Sequence, residues 1–357
     1  MKSNEIRARA AAVVDPYLEQ PLGAAVTDVE VDGSRAVIDV TLGFPVLGHE
    51  ARLGELLRRE LASAGWQGSI DLRLHARIAA HAVQGTLQPL PGIGNVLAIA
   101  SGKGGVGKST TAANMALALV VQGARVGLLD ADIYGPSQPL MMGLAGERPQ
   151  TTDGKRIEPL RAYGVAVMSI GFLIDAAQPM VWRGPMVTQA LVQLLGETRW
   201  GELDYLIVDM PPGTGDIQLT LAQRVPVSGA IIVTTPQEIA LADARKGLAM
   251  FRKVAVPVLG IIENMATHVC SQCGHEEHIF GAGGGLRMSA EFGVPLLGSL
   301  PLDIRIREQT DGGRPTVVAE PEGRIAAAYH DVARRAAARL AAGSATVAFP
   351  TLSASDD

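Results

Sequence analysis

The chain carries a run of residues suited to holding a polyphosphate. Ser101-Gly102-Lys103-Gly104-Gly105-Val106-Gly107-Lys108-Ser109-Thr110 stands between an apolar run, Val96 to Ala100, and an alanine-rich helical pattern from Thr111 to Val121. Glycines at this density let successive backbone N–H groups face an anion, Lys108 can reach the outer phosphates, and the Ser109 hydroxyl can ligate Mg2+. Gly102, Gly107, Lys108 and Ser109 keep the full spacing between a strand and a helix, the context such a loop requires. The plainer alternative is a glycine turn without a ligand. Lys103 is a second lysine that one nucleotide in one subunit does not need, unless it is a solvated surface residue.

Carboxylates follow two later strands. Asp130 and Asp132, in Asp130-Ala131-Asp132-Ile133-Tyr134-Gly135-Pro136-Ser137, fall beside the phosphate loop in this topology. Asp132 is the candidate for positioning an attacking water and Asp130 for the outer shell of a metal; a pair of helix caps is the alternative. Asp209 ends the apolar strand Asp204-Tyr205-Leu206-Ile207-Val208-Asp209, where it can hold the water shell of Mg2+. Pro211-Pro212-Gly213-Thr214-Gly215-Asp216 joins a stiff proline pair to a glycine hinge, so a γ-phosphate contact at Gly213 can become loop movement.

A third chemistry sits further on. Cys270 and Cys273, the two cysteines, form one Cys-x-x-Cys, too few for a disulfide framework. A cubane cluster or an all-sulfur zinc site wants four thiolates, which a twofold axis through two copies supplies. Zinc held within one chain by both cysteines and two of His268, His275 and His278 is a second reading. A redox pair is a third, without the start-of-helix setting it usually has.

These residues need a scaffold, and the 357 residues, 47% of them hydrophobic, allow one large domain and a small one. The alternation of Val96–Ala100, the loop and its helix, and Arg125–Leu129 implies a doubly wound α/β fold with a mostly parallel sheet. Further strands are expected at 165–170, 205–208, 229–234, 258–262 and 296–300. Before them come an amphipathic helix carrying Ile6, Ala10, Val13, Val14 and Leu18, strands at 26–31 and 36–42 turning at Asp32-Gly33, a helix from His49 to Ala64, and a strand at 69–75. His75 and His81 read as surface or edge histidines. The organisation expected is a small α/β domain at 1–83, a Gly/Pro-rich linker at 84–94, a phosphate-loop domain at 95–342 with a helix from Gly323 to Leu340, and a frayed polar tail at 343–357.

Net charge is −5, from 36 acids against 31 bases with no dense basic block, which argues against a nucleic-acid partner held by bulk charge. Neither a long apolar run nor an apolar signal region after Met1-Lys2-Ser3-Asn4 is present, so no membrane partner and a cytoplasmic home are expected.

The loop with Lys103 resembles the deviant Walker A loop of the MinD/ParA and nitrogenase iron-protein superfamily, which implies that Lys103 reaches across a dimer to the partner's nucleotide. No Asn-Lys-x-Asp guanine tetrad occurs, while Asn264 ends a strand and Pro301 begins a loop, the places where that superfamily holds adenine; ATP is the nucleotide implied. Residues 96 to about 313 resemble the Mrp/ApbC family of iron-sulfur cluster carrier ATPases, through the loop, Asp-x-Asp, Pro-Pro-Gly-Thr-Gly-Asp, Trp182-Arg183-Gly184-Pro185, Trp200-Gly201-Glu202-Leu203-Asp204 and Ile217-Gln218-Leu219-Thr220. That resemblance implies a [4Fe-4S] cluster bound by Cys270 and Cys273 at a homodimer interface, received from scaffold or donor proteins and passed to apo-proteins, with Mg2+ and slow ATP hydrolysis altering the interface. Arg183 touches either the nucleotide or a partner, or is a plain loop arginine. The first domain, with Asp15-Pro16, resembles a small iron-sulfur-assembly domain but has Phe44-Pro45 where that family has Cys-Pro, which leaves it a docking or regulatory role. A positioning or partitioning ATPase and a zinc-holding ATPase scaffold are the rival functions.

Overall fold

The computed structural model describes residues 1–151, 154–173, 184–270 and 272–343; Trp182, Arg183 and the tail from Ser344 to Asp357 lie outside them. The chain begins with α1 (Ser3–Ala12), then a short antiparallel pair, β1 (Val14–Asp15) and β2 (Gln20–Pro21). The helix expected to run on to Leu18 therefore stops early. Pro16 drives Asp15 out of the helical region, and Asp15 Oδ1 instead accepts from the backbone N–H of Tyr17 (2.8 Å) and Leu18 (2.9 Å). Next come β3 (Val26–Asp32), β4 (Arg35–Leu42), α2 (Glu50–Ser63) and β5 (Ser69–Ala76). β4 is central, antiparallel to β3 and parallel to β5. The turn after Asp32 needs Gly33, whose φ is 58°.

Under this sheet lies a polar pair that no periodicity announces. His49 Nε2 is 2.6 Å from Asp15 Oδ2, with both side chains fully buried. Burial raises the Asp15 carboxyl, but the His49 imidazole and the two N–H donors outweigh it and hold the group below the usual carboxylate range. Phe44 is buried with its ring centroid 6.4 Å from that of Tyr17. His75 is exposed near Asp39 (3.3 Å), and His81 Nδ1 meets Asn95 Oδ1 at 2.8 Å. Tyr17 donates its hydroxyl to Asp331 at 2.7 Å, while Arg334 donates to the Leu47 carbonyl at 2.6 Å, so this unit is tied to the last helix.

Among the described residues the large sheet holds eight strands. In chain order its elements are β6 (Ile93–Ala100), α3 (Lys108–Val121), β7 (Val126–Asp130), α4 (Gln138–Met141), β8 (Leu160–Ala162), β9 (Val165–Ser169), α5 (Gly184–Glu197), β10 (Leu203–Asp209), α6 (Asp216–Arg224), β11 (Gly229–Thr234), α7 (Glu238–Lys253) and β12 (Val258–Glu263). A small hairpin, β13 (His268–Val269) and β14 (Glu276–Glu277), precedes α8 (Gly284–Phe292), β15 (Leu296–Ser299), α9 (Ile304–Asp311), α10 (Thr316–Ala319) and α11 (Arg324–Ala341). The order across the sheet is β15-β12-β11-β6-β10-β7-β9-β8, parallel except for β8 against β9. This is a doubly wound α/β fold. β6, β10 and β11 are apolar without alternation because both of their faces are covered by helices.

β6 starts at Ile93, inside the stretch expected to be linker. The linker's first residue is not free either: buried Gln84 bonds the carbonyls of Ala222 and Val225 and the N–H of Val227, each at 2.7 Å. The α3 helix is rich in alanine because it is sandwiched between the sheet and α11; Ala112, Ala113, Ala116 and Ala118 are wholly buried. Among the described residues no helix is long and apolar enough to cross a membrane.

Candidate nucleotide and thiol sites

The loop between β6 and α3 curls around a cavity of about 210 Å³ lined by Ser101, Lys103, Gly104, Gly105, Gly107, Lys108, Ser109, Thr110, Asp132, Ser137, Met141 and Pro212. Two glycines are fixed by their neighbours. A Cβ on Gly102 would lie 2.2 Å from the carbonyl carbon of Asp243 in α7, and one on Gly107, at φ 82°, would lie 2.1 Å from Asn264 Nδ2. Gly107 caps α3 at its first turn, where unpaired N–H groups and the helix dipole favour an anion. Val106, between them, is buried and offers its carbonyl to Asn264 Nδ2 at 2.9 Å.

Lys108 is buried at 6% exposure, and its Nζ lies 2.5 Å from Asp209 Oδ1 and 3.1 Å from Ser109 Oγ. The parallel register pairs Asp209 of β10 directly with Asp130 of β7, so two carboxyls are buried side by side. Burial, reinforced by the Asp209 charge, pushes Asp130 up to about 7. Asp130 accepts from Ser169 Oγ (3.0 Å) and from the backbone N–H of Gln138 (3.1 Å) and Asp132 (3.2 Å). Asp132 stands nearer the cavity; burial raises it, and the Lys108 charge opposes that rise. The motifs did not single out Gln138 or Ser169. Buried Gln138 links the Ser109 carbonyl (3.0 Å) to Asp209 Oδ2 (2.8 Å), and its own Oε1 has no partner among the described residues. Its only sequence signal was a polar side chain shortly after a strand end.

Gly213, at φ 102°, donates its N–H to the Ser101 carbonyl at 3.0 Å, so the Pro-Pro-Gly loop rests on the phosphate loop. Lys103 lines the cavity and enters no ion pair among the described residues. Asn264 leaves β12 buried against Val106, and Leu300, just before Pro301, exchanges backbone bonds with Glu263 and Ala266 at 2.9 Å each. Asn264 thus borders the loop, and Leu300 is bonded to the segment that carries it. Arg183 lies outside the described residues.

The hairpin of β13 and β14 presents the thiols. Cys270 is half-buried and Cys273 exposed, and both are unpaired by disulfide. The N–H groups of Cys273 and Gln272, followed by the Cys273 thiol, hold the Cys270 thiol below its ordinary value, which favours the thiolate form that metals take. His268 and His278 turn Nδ1 to backbone carbonyls, of Leu302 (3.1 Å) and Ala266 (2.8 Å). No group of three or more His, Cys, Asp or Glu side chains suited to a metal forms among the described residues, so the zinc set imagined within one chain is not assembled.

Comparison with known proteins agrees with this geometry. A family model described as ParA, the NUBPL iron-transfer P-loop NTPases, matches residues 92–337. An iron-sulfur cluster carrier protein of Pseudomonas fragi is 57% identical over 78% of this chain and 97% of its own length. One of Escherichia coli is 51% identical over 85% of this chain and 83% of its own. Among solved structures, a nucleotide-binding protein of Archaeoglobus fulgidus in complex with ADP superposes with a TM-score of 0.57 at 39% identity, over 65% of this chain and 90% of that one.

Proposed function

The chain belongs to the NUBPL-type iron-transfer P-loop NTPases of the ParA group, and from that premise we propose that it is an ATP-hydrolysing carrier of iron-sulfur clusters. Its cargo is a [4Fe-4S] cluster held by Cys270 and Cys273 of two copies, received from a scaffold or donor protein and passed to apo-proteins. The observation that carries the reading is the hairpin with its half-buried and exposed thiols, beside which no third ligand gathers among the described residues, and which grows from the same strand end, at Asn264, that borders the phosphate loop. Two thiolates are half of what a cubane cluster takes, and an isologous contact supplies the other half. Exposed apolar side chains that follow the carboxyl ends of the strands, Tyr134, Ile239, Ile279 and Leu286, support a partner on that side.

In the mechanism, ATP enters with its phosphates on the N–H groups of Gly104 to Thr110 and its adenine against Asn264 and Pro301. Lys108 leaves Asp209 for the phosphates. Mg2+ would be held by the hard oxygen donors present, Ser109 Oγ and Asp209, with Asp130 and Gln138 Oε1, which has no partner among the described residues, nearby. When bound, that ion neutralises charge between the phosphates. Asp132 orients the attacking water, Gly213 follows the γ-phosphate, and unpaired Lys103 crosses to the second copy's nucleotide. Hydrolysis then shifts the balance between two arrangements of the pair.

Anaerobic reconstitution with iron and sulfide tests this. The wild type should take up four irons and four sulfides for every two chains, as the cubane stoichiometry requires, and Cys270→Ala/Cys273→Ala should take up none. Stoichiometric loading of the double variant removes the assignment.

A further inference from the structure

Resting on the reading of Cys270 and Cys273 as cargo ligands, we propose that His278 and His268 are positioning residues that tie the cysteine hairpin to the base-binding segments, so that filling the nucleotide site changes the setting of the thiols. The chain path is short and bonded at each step. Asn264 Nδ2 donates to the Val106 carbonyl inside the phosphate loop, and its side chain occupies the space that a Cβ on Gly107 would need. Met265 follows in the left-handed region at φ 57°, a conformation that a non-glycine residue keeps only when its surroundings hold it there. The next residue, Ala266, is fixed by its N–H on the Leu300 carbonyl (2.9 Å), and its own carbonyl receives His278 Nδ1 (2.8 Å) from just beyond the far strand of the hairpin. Thr267 accepts from the Leu302 N–H (2.7 Å), and Leu302 in turn accepts from His268 Nδ1 (3.1 Å).

Each imidazole thus bonds one of the two segments that flank the base, His278 the Asn264 side and His268 the Pro301 side. A carbonyl accepts only, so in both rings Nδ1 carries the proton. Within the hairpin, Cys270 donates its N–H to the His275 carbonyl and Gly274 donates to the Cys270 carbonyl, each at 2.9 Å, so the thiols move with the strands that the histidines anchor. A displacement of Asn264 by adenine therefore reaches Cys270 through bonded backbone, not across solvent. The tether is local: no side chain in it belongs to the Lys108, Asp132 and Asp209 group.

The test uses the full-length, cluster-free chain under reducing, anaerobic conditions and measures the rate at which iodoacetamide alkylates Cys270 and Cys273, with and without Mg2+ and a non-hydrolysable ATP analogue. In the wild type the nucleotide should change that rate by about fivefold, a typical coupling between two sites. His268→Ala/His278→Ala should bind the analogue as tightly as wild type but alkylate at one rate whether or not it is present. His278→Asn, whose amide can donate from nearly the place of Nδ1, should recover the response that His278→Ala weakens. A wild type indifferent to the analogue, or a double variant that responds in full while binding it, overturns the proposal. Alkylation requires neither a cluster nor a second copy, so failure of the cargo assignment in the iron-loading experiment would leave this readout interpretable.

Discussion

Replacing Asp130 by Asn should stabilise the nucleotide-free protein at alkaline pH and cease to do so in acid. Asp130 is fully buried opposite Asp209, and its carboxyl titrates near 7 in place of the ordinary 3.8. A carboxyl raised in this way binds a proton on folding between those two values, so its contribution is most favourable below about 4 and is lost as pH rises through 7. Three units at about 1.4 kcal/mol each set an upper limit of about 4 kcal/mol for the cost of ionising it above pH 7. Asp209 shares the same repulsion and Lys108 relieves it, which brings the expected recoverable part to about 1–3 kcal/mol. Against this, asparagine keeps one of the two oxygens. Its Oδ1 can still accept from Ser169 and Gln138, but its amide would face the Asp132 N–H, a lost bond worth about 1 kcal/mol. Urea denaturation of wild type and Asp130→Asn at pH 5, 6, 7 and 8 should therefore show curves that cross, the variant being more stable at pH 8 and less stable at pH 5. A variant weaker at every pH, or one whose difference from wild type does not change with pH, would refute the argument that charge at this position opposes folding.

Lys108→Ala should reduce phosphate release to background and also weaken the empty fold by about 3 kcal/mol, since it leaves Asp209 buried without its cation; colorimetric phosphate assay and urea denaturation measure the two effects separately. Gly102→Ala forces a Cβ onto the Asp243 backbone, which cannot swing aside as a side chain can; the loop must shift, and the rate of phosphate release at saturating ATP should fall about 100-fold, as for other ångström-scale misplacements of reacting groups.

The sequence made the nucleotide site readable because its motifs are local. Gly102 to Thr110 needs one strand before it and one helix after it, and both were written in the apolar pattern; Asp209 and Asp130 each end such a strand, and a parallel sheet leaves strand ends in one place. What stayed hidden was what depends on pairs distant in sequence. Gln138 matters because Asp209 and Ser109 converge on it, and His49 because Asp15 does, and neither has a spacing rule that could expose it. The end of α1 departs from the apolar pattern for a related reason: the spacing through Val14 and Leu18 suits a helix, but Pro16 and the Asp15 side chain impose a turn. At the thiols, composition left cluster, zinc and redox readings open; among the described residues no group of three or more His, Cys, Asp or Glu side chains gathers there for a zinc ion within one chain.

The bond from Tyr17 to Asp331 joins residues 314 positions apart, with Arg334 beside it. On a ribosome adding roughly 5–20 residues each second, the first unit is complete for on the order of 12–50 s before its anchoring helix emerges. For that interval Tyr17 and Leu47 face solvent or a chaperone, and the amino-terminal portion reaches its final seat only once the helix Arg324–Ala341 has been made.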